Sequence, residues 1–440
     1  MKIALINPDN GKAIKKENLG LLSLATHLKT HGLDVRLIDE VAGDKTPQVL
    51  HAFSPDVVGI SFMTMFAKRA AEITRHVREN HPRAKIIFGG AHPTACPEES
   101  AALADTIITG EAESSLLEHL QKDHWTEKII QGRYEQDLDA LPIPDRGLIN
   151  AEYYLAQRMG IAGIPLRSLS LSTSRGCPYR CIFCQNSKRT VPVRVHSISR
   201  VLQEIHLLTG TYQAESLAFV DENFAFNRNR LAELCRGIIR EKIRIKWECQ
   251  TSANLVDEEI LSLAKQSGAV QIAFGFESGS QRILNTLGKK STVEQNRRAI
   301  ALVKKAGLKV RGCFMVGNPT ETLADIRLTQ AFIQGNDIDY TGVFMATPYP
   351  GTELWDYCVN NNLIDSATVD YDTFTTGTDV TPYACTAVDR QSLKRVYAET
   401  VYQSMRKNYG GPRLLLKCIR YPKEALALLR DRLRPGKAKQ

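Results

Sequence analysis

Residues 174–186 read SRGCPYRCIFCQN, and within them Cys177, Cys181 and Cys184 stand at intervals of four and three. The run before them, Leu169–Thr173, predicts a short strand that delivers the cysteines onto a loop at its C-terminal end. Three thiolates at this spacing can wrap one small cluster. Three ligands on a [4Fe–4S] cluster leave one iron open, and an open iron is a place for chemistry rather than electron transfer alone. A structural zinc site is the alternative and needs a fourth donor. Cys249 and His196 could supply it, but neither has the paired spacing of a zinc module. Inert buried cysteines are the remaining reading.

The sequence on both sides of this loop alternates strand-like and helix-like runs. Downstream, strands are expected at Ser216–Val220, Ile245–Cys249, Ala269–Phe276, Lys309–Val316 and Gly342–Thr347, with helical spacing between them, as over Ser199–Leu208 and Val293–Lys305. With Leu169–Thr173 that makes six strand–helix units, which fits a partial barrel with its function at the strand C-terminal ends. Upstream, Lys2–Asn7, Leu33–Ile38, Asp56–Ser61, Lys85–Phe88 and Thr106–Thr109 predict five strands separated by helices such as Asn18–His31 and Phe66–Asn80. Short loops and unbroken apolar strands predict a doubly wound parallel sheet, open to ligands where its strands end. The expected organisation is α/β throughout. A Rossmann-like domain spans 1–125, and a connector with the stiff turn Leu141–Asp145 spans 126–165. A partial (β/α)6 TIM-type barrel spans 166–365, and a small helical C-terminal region spans 366–440.

The pattern Cys177-x3-Cys181-x2-Cys184, with the aromatic Phe183 before the third cysteine, resembles the radical SAM superfamily over about residues 165–365. The resemblance implies that the free iron chelates the amino and carboxylate groups of S-adenosylmethionine. Reductive cleavage then yields a 5′-deoxyadenosyl radical that abstracts hydrogen from a substrate; the cofactor carries the hard chemistry and the barrel orients it. It further implies roles for the strand ends. Glu222 and Asn223 would meet the SAM amino group, since carboxylate and amide oxygens suit an ammonium; an ordinary strand-end turn is the plain alternative. Glu277, in Gly275–Ser280, would accept from the ribose hydroxyls, and Phe183 would join the cofactor contacts. Gly317–Thr322 and Thr347–Leu354 resemble the family's fifth- and sixth-strand ends, as ligand contacts or as rigid turns. Relatives often place an arginine near the end of the third strand. Here Thr251-Ser252-Ala253-Asn254 stands instead, which leaves Ser252 as the candidate for the SAM carboxylate.

Joined to such a barrel, residues 1–125 resemble a cobalamin-binding domain. Gly59–Met63 and Phe88–Thr94 stand where that family cradles the corrin ring and its nucleotide tail. The candidate contacts are Asn7, Pro8, Ser61, Met63, Thr64, Gly89, Gly90, His92, Gly110 and Glu111. The family's Asp-x-His-x-x-Gly loop is missing, because residues 7–13 contain no histidine. That implies a cobalt without a strong lower ligand, which eases methyl loss. His92 is expected to hydrogen-bond the nucleotide loop or backbone rather than cobalt, while Thr64, Met65 and Phe66 either line the lower corrin face or pack as core.

The whole resembles the class B-type radical SAM methyltransferases. It implies carbon methylation of a small-molecule or lipid-like substrate, with SAM serving as both methyl and radical source and electrons arriving from a flavodoxin or ferredoxin. Cyclisation, oxidation or rearrangement without methyl transfer uses the same cofactors and stays open. An RNA-modifying methylthiotransferase would need three further N-terminal cysteines for a second cluster, and only Cys96 is there, so nucleic acid is not the expected partner. A non-catalytic carrier would not need the SAM-like turns. Trp247, Phe274, Phe344, Tyr349 and Trp355 fall near strand ends, as pocket or as core.

Composition agrees with this organisation. The 440 residues carry 57 Lys plus Arg against 48 Asp plus Glu, a net charge of +9, and are 43% hydrophobic, enough for two or three domains with real cores. The excess is local: from Met405 to Gln440 basic residues far outnumber Glu424 and Asp431, and the rest of the chain balances. A generally basic protein is excluded. Leu414–Arg420 and Ala425–Arg434 mix apolar and basic residues, which suits an interfacial helix on anionic lipid or a helix packed on the barrel with a solvated basic face. No apolar run approaches the roughly 18 residues of a membrane span. The first apolar run breaks at Pro8, too early for a signal peptide, and the ten cysteines form no disulfide pattern. The expected location is cytoplasmic, with peripheral contact at the inner membrane face as the tail's option.

Overall fold

A computed structural model describes the chain except residues 12–14, 158–160, 162, 189–190, 375–384 and 421–440, with side chains as far as Asn408. Its frame is two six-stranded sheets, each wholly parallel. In the first, β1 (Lys2–Asn7), β2 (Asp34–Asp39), β3 (Val57–Ser61), β4 (Lys85–Gly89), β5 (Thr106–Thr109) and β6 (Ile129–Gln131) lie in the order β2-β1-β3-β4-β5-β6. Helices cover both faces, so the strands are apolar on both. Ile3, Leu5, Leu22 and Leu28 fill one side; Ala4, Ile60, Phe66 and Ile73 fill the other. Winding reverses between β1 and β3, the switch point where such sheets take ligands. β6 comes from the stretch expected to be connector; three half-exposed residues are too few to show a period.

The second sheet contains β7 (Ser168–Leu171) and, beyond the two-stranded ribbon of β8 (Ser174–Arg175) and β9 (Arg194–Val195), β10 (Ser216–Phe219), β11 (Lys246–Thr251), β12 (Ala269–Glu277), β13 (Lys309–Val316) and β14 (Tyr340–Met345). Its order follows the chain, from β7 at one edge to β14 at the other. A helix returns after nearly every strand, giving the expected partial barrel. Leu171, Phe219, Trp247, Phe274, Phe276 and Phe314 pack outward against those helices, so Trp247 and Phe274 are core rather than pocket. Capping boxes at Thr292/Gln295 and Thr322/Asp325 start the helices Val293–Lys305 and Leu323–Gly335.

The C-terminal region is a helix, Arg390–Arg420, laid along β14. Ser404 Oγ and Asn408 Nδ2 each donate to the Thr341 carbonyl at 2.9 Å, and Tyr397 and Val401 are buried. The helix thereby covers an edge strand that would otherwise be open to pairing. Leu414–Arg420 prolongs its backbone, while Ala425–Arg434 lies outside the described residues. Among the described residues, no helix is long and apolar enough to cross a membrane.

Polar groups join the two sheets. Tyr154 donates to Asp39 Oδ2 at 2.5 Å, and Glu17 Oε1 accepts from the Ser170 amide at 2.5 Å. Arg146, wholly buried, bonds Glu204 Oε1 at 2.9 Å and the Ser170 carbonyl at 2.7 Å. Removing one partner of such a pair strands the other charge. Arg146→Met should therefore lower stability by about 3–5 kcal/mol, seen as a lower urea midpoint with an unchanged slope. Adding Glu204→Gln should restore much of the loss; an unchanged midpoint in the single variant would contradict the network's role.

Candidate active site between the two sheets

The cysteine loop is gripped from two sides. Ile182 donates its amide to the Leu287 carbonyl at 3.1 Å, and its carbonyl accepts from the Leu354 amide at 2.8 Å. Gln185 Nε2 bonds the Pro350 carbonyl, and Ser187 Oγ accepts from the Glu353 amide. The turns at 347–354 and 284–289 are thus the loop's supports. Its entry is set by Asp221, fully buried, which accepts from the Thr173 amide and hydroxyl and from Ser174 Oγ.

Burial pushes the Cys177 and Cys181 thiols up, Cys181 to about 11, so something positive must hold them as thiolates. Cys184 Sγ accepts from the Asn186 amide at 3.5 Å. Among the described residues, three donor atoms within 4.8 Å of one another, as a single ion requires, occur at His92, Cys96 and Glu99 and not at this triad. A larger cluster suits the wider spacing. The fourth zinc donors considered from sequence are elsewhere: Cys249 is core, and His196 Nδ1 faces Asp139 at 3.0 Å. Phe183 is half-buried against the satellite core beside the loop.

Around the loop, the expected SAM residues fall into two groups. Glu222 is exposed and lines a cleft of about 220 Å³ with Cys177, Asn186 and Arg194. Asn223 is buried: its Oδ1 accepts from Thr251 Oγ1 and the Ser252 amide, and its side chain reaches Cys177. The Ser252 hydroxyl is already donated to Asn254 Oδ1 at 2.7 Å. Beside them stands a cation that sequence reasoning missed. Lys289 Nζ is buried 3.4 Å from Glu277 Oε1 and close enough to Cys181 and Cys177 to feel their charge. Burial raises the Glu277 carboxyl, with Lys289 opposing. A lysine beside a Gly-Lys-Lys turn carries no signal of its own; only the docking of residues 284–289 on the cysteine loop places it.

On the facing sheet, the strand ends of β3, β4 and β5 open on a cavity of about 340 Å³. Gly59, Ser61, Gly89, Gly90, Gly110 and Glu111 stand there, and the walls include Leu19, Leu24, Phe88, Ile108 and Leu116. Gly90, at φ +93°, is obligatory, since a Cβ would stand 2.8 Å from the Phe62 amide nitrogen. A Cβ on Gly89 would find ordinary room, so its absence widens the slot. An apolar, glycine-edged slot of this kind fits the planar tail and ring edge of cobalamin.

The other expected contacts are placed differently. Asn7 joins Asp39 and Asn18, and Pro8 follows it without reaching the cavity lining. Met63 is exposed, Thr64 is buried against His92, and Met65 and Phe66 are core. The His92 ring is turned away from the cavity, between Phe62 and Tyr371, and burial pushes its pKa down to about 4. Glu111 lines both cavities but is engaged by Arg194 and Arg175.

Two parallel sheets with their C-terminal edges facing, a three-cysteine loop on one and a glycine-edged slot on the other, define a two-cofactor iron–sulfur enzyme. The radical SAM superfamily matches residues 171–333, and the B12 binding domain matches residues 15–120. The chain is 32% identical over 460 residues to an uncharacterized methyltransferase of Pyrococcus horikoshii, covering 95% of each. It is 26% identical to the anaerobic magnesium-protoporphyrin IX monomethyl ester cyclase of Rubrivivax gelatinosus over 76% of this chain and 64% of that one. Among solved structures it resembles the radical S-adenosylmethionine methyltransferase TsrM from Kitasatospora setae, with TM-score 0.69 and 19% identity over 83% of this chain and 79% of the other. The chain belongs to the cobalamin-binding radical SAM enzymes, the class B-type radical SAM methyltransferase family. Its cofactors are a [4Fe–4S] cluster, S-adenosylmethionine and cobalamin.

The turn after β13 is rigid for a reason that can be titrated. Glu321, nearly inaccessible, accepts from the Gly317 and Asn318 amides at 2.6 and 3.0 Å and from Asn318 Nδ2 at 3.2 Å. Burial pushes its carboxyl up to about 7 from an ordinary 4.5. The fold therefore holds this proton more tightly than the unfolded chain does. That stability is complete below the ordinary value and is lost as pH rises through the folded one. Urea midpoints across this range should show the wild type losing about 3 kcal/mol relative to Glu321→Gln; parallel profiles would contradict it.

Proposed function

We propose that this enzyme methylates a carbon atom of a small-molecule substrate lodged between the two sheets. The observation that carries the reading is that the two cavities adjoin: Glu111, Ser172, Arg175 and Val220 line both. When bound, the cluster and SAM supply a 5′-deoxyadenosyl radical for hydrogen abstraction, and cobalamin supplies the methyl group. The chain's own work is positional. Cys177, Cys181 and Cys184 hold the cluster; Glu222 takes the SAM ammonium while Asn223 braces the turn beside Cys177, Lys289 takes the SAM carboxylate and Glu277 its ribose. Ser61, Gly89, Gly90 and Gly110 give cobalamin its bed. Arg175 and Arg194 close the seam and limit water. Inside the barrel, the Glu248–Gln271 bond at 2.7 Å and the exposed Phe344 offer a mixed polar and apolar floor for substrate. A one-electron donor such as flavodoxin or ferredoxin completes the requirement.

The relative from Rubrivivax gelatinosus favours a second reading, a radical reaction that closes a ring without transferring methyl. Product analysis separates the two. Anaerobic enzyme reconstituted with cobalamin should form 5′-deoxyadenosine and S-adenosylhomocysteine together in the presence of extract from a deletion strain. 5′-Deoxyadenosine without S-adenosylhomocysteine would overturn methylation and keep the radical step. Lys289→Met should raise KM for SAM about tenfold, the worth of one charged hydrogen bond, with iron content unchanged; unaltered KM would remove Lys289 from the site. The basic tail bears on a lipid-like substrate. Full-length protein should co-sediment with anionic liposomes more than a truncation at Asn408, and equal binding would remove the membrane contact.

A further inference from the structure

We propose that His92, Cys96 and Glu99 bind a zinc ion at the edge of the cobalamin-binding domain that faces the segment following the barrel. One donor atom from each lies within 4.8 Å of the others, with His92 Nε2 and Glu99 Oε1 4.0 Å apart. The three sit on two short helices, Ala91–Ala95 and Pro97–Ala101, joined at Cys96. Cys96, the junction between them, donates its amide to the His92 carbonyl at 2.8 Å, which keeps the two residues one turn apart.

Two further observations point to a ligand. His92 Nδ1 lies 3.3 Å from Thr64 Oγ1, and in the tautomer that donates to this hydroxyl the Nε2 lone pair faces Glu99. Such an outer partner is the usual companion of a metal-bound histidine. From the far side, the Tyr371 hydroxyl donates to Glu99 Oε2 at 3.1 Å, which leaves Oε1 free to turn inward. The Tyr371 ring lies edge-on to His92 at 5.0 Å, and Lys68 pairs with Asp372 at 3.2 Å along the same seam.

The donor set selects the metal. One thiolate, one imidazole and one carboxylate suit zinc, whereas magnesium and calcium take oxygen ligands. With bond lengths of about 2.0–2.3 Å, tetrahedral donors stand roughly 3.3–3.8 Å apart, so a short inward movement of the half-exposed Glu99 completes the site. Binding releases the Cys96 proton. Zn²⁺, one thiolate, one carboxylate and a neutral imidazole then sum to no charge, as a half-buried site requires. A water takes the fourth position, with room in the adjoining cavity of about 280 Å³ beside Ser100 and Tyr371. None of the three donors lines the two cavities at the cysteine loop and the glycine-edged slot, so the ion takes no part in the radical chemistry.

The test uses full-length protein from zinc-supplemented medium in a Cys177→Ala/Cys181→Ala/Cys184→Ala background, so that the cluster loop cannot hold zinc. Elemental analysis should give about one zinc per chain, falling about tenfold or more when Cys96→Ser or His92→Gln is added. Trace zinc in the background chain, or full zinc after Cys96→Ser, would overturn the site. Should the background chain fail to fold, the wild type decides. A zinc chelator should lower its thermal midpoint by several degrees with the iron count unchanged, and Cys96→Ser should show no response. Equal midpoints with and without chelator would also overturn it.

Discussion

Everything at the cofactor interface hangs on one buried knot of charge. Arg175, two residues before Cys177, pairs with Glu113 at 2.7 Å and Glu111 at 3.1 Å. Arg194, its neighbour across the β8–β9 ribbon, holds Glu111 through two nitrogens, at 2.9 and 2.5 Å. Both acids follow β5 of the other sheet, Glu111 in the turn after it and Glu113 at the start of the helix Glu113–Leu120. Burial alone would raise the Glu113 carboxyl; the Arg175 guanidinium more than offsets it and holds the group below its ordinary range. Ion pairs of this kind contribute little net stability against apolar replacements, because desolvation cancels most of the attraction. They contribute geometry. A two-nitrogen arginine–carboxylate contact has one satisfactory arrangement, so sliding one sheet past the other would strand at least two charges.

That explains how two open strand edges become one site. Each sheet, taken alone, presents a shallow rim of turns. The ribbon β8–β9 carries the arginines and leads directly into the cysteine loop, so the contact that docks the domains also aims the cluster ligands. On the opposite side the loop is held by main-chain bonds to Leu287 and Leu354. A displacement at the seam is thereby passed to the thiols through a few covalent and hydrogen bonds rather than absorbed by flexible chain.

The legible parts of this arrangement were those with local causes. Strands buried on both faces have unbroken apolar runs, and Lys2–Asn7, Thr106–Thr109 and Lys309–Val316 fall where their sequence predicts. The triad's spacing is equally local. What stayed hidden depends on distant partners. β6, β8 and β9 are two or three residues long and exist because a neighbouring strand offers hydrogen bonds. Arg175 and Arg194 look like any surface arginines until Glu111 is seen opposite. Lys289 gains meaning only from the loop 105 to 112 residues earlier. The corrin contacts are hard to read from sequence for a related reason. A polar residue at a strand end can face the ligand or brace the neighbouring turn, and Asn7, Thr64 and His92 brace.

The Gly275–Ser280 turn shows how far a motif can be reduced to packing before function is needed. A Cβ at Gly279 would stand 2.4 Å from the Leu328 carbonyl, so that glycine is demanded by a helix passing behind it. A Cβ at Gly275 would stand 2.3 Å from Glu277 Oε1, so that glycine leaves room for the carboxylate to fold back over its own strand. Glu277 itself has φ +61°, where β12 slips register against β13. A side chain there costs on the order of 1 kcal/mol, and burial makes its charge costlier still. Neither glycine explains why that position is not itself glycine or asparagine. The strain is repaid nowhere in the hydrophobic core, and Lys289 supplies only one partner for a carboxylate that can accept several bonds. A strained, buried acid beside the cluster loop, with Lys289 as its cationic partner, is therefore the part of this turn that packing leaves over.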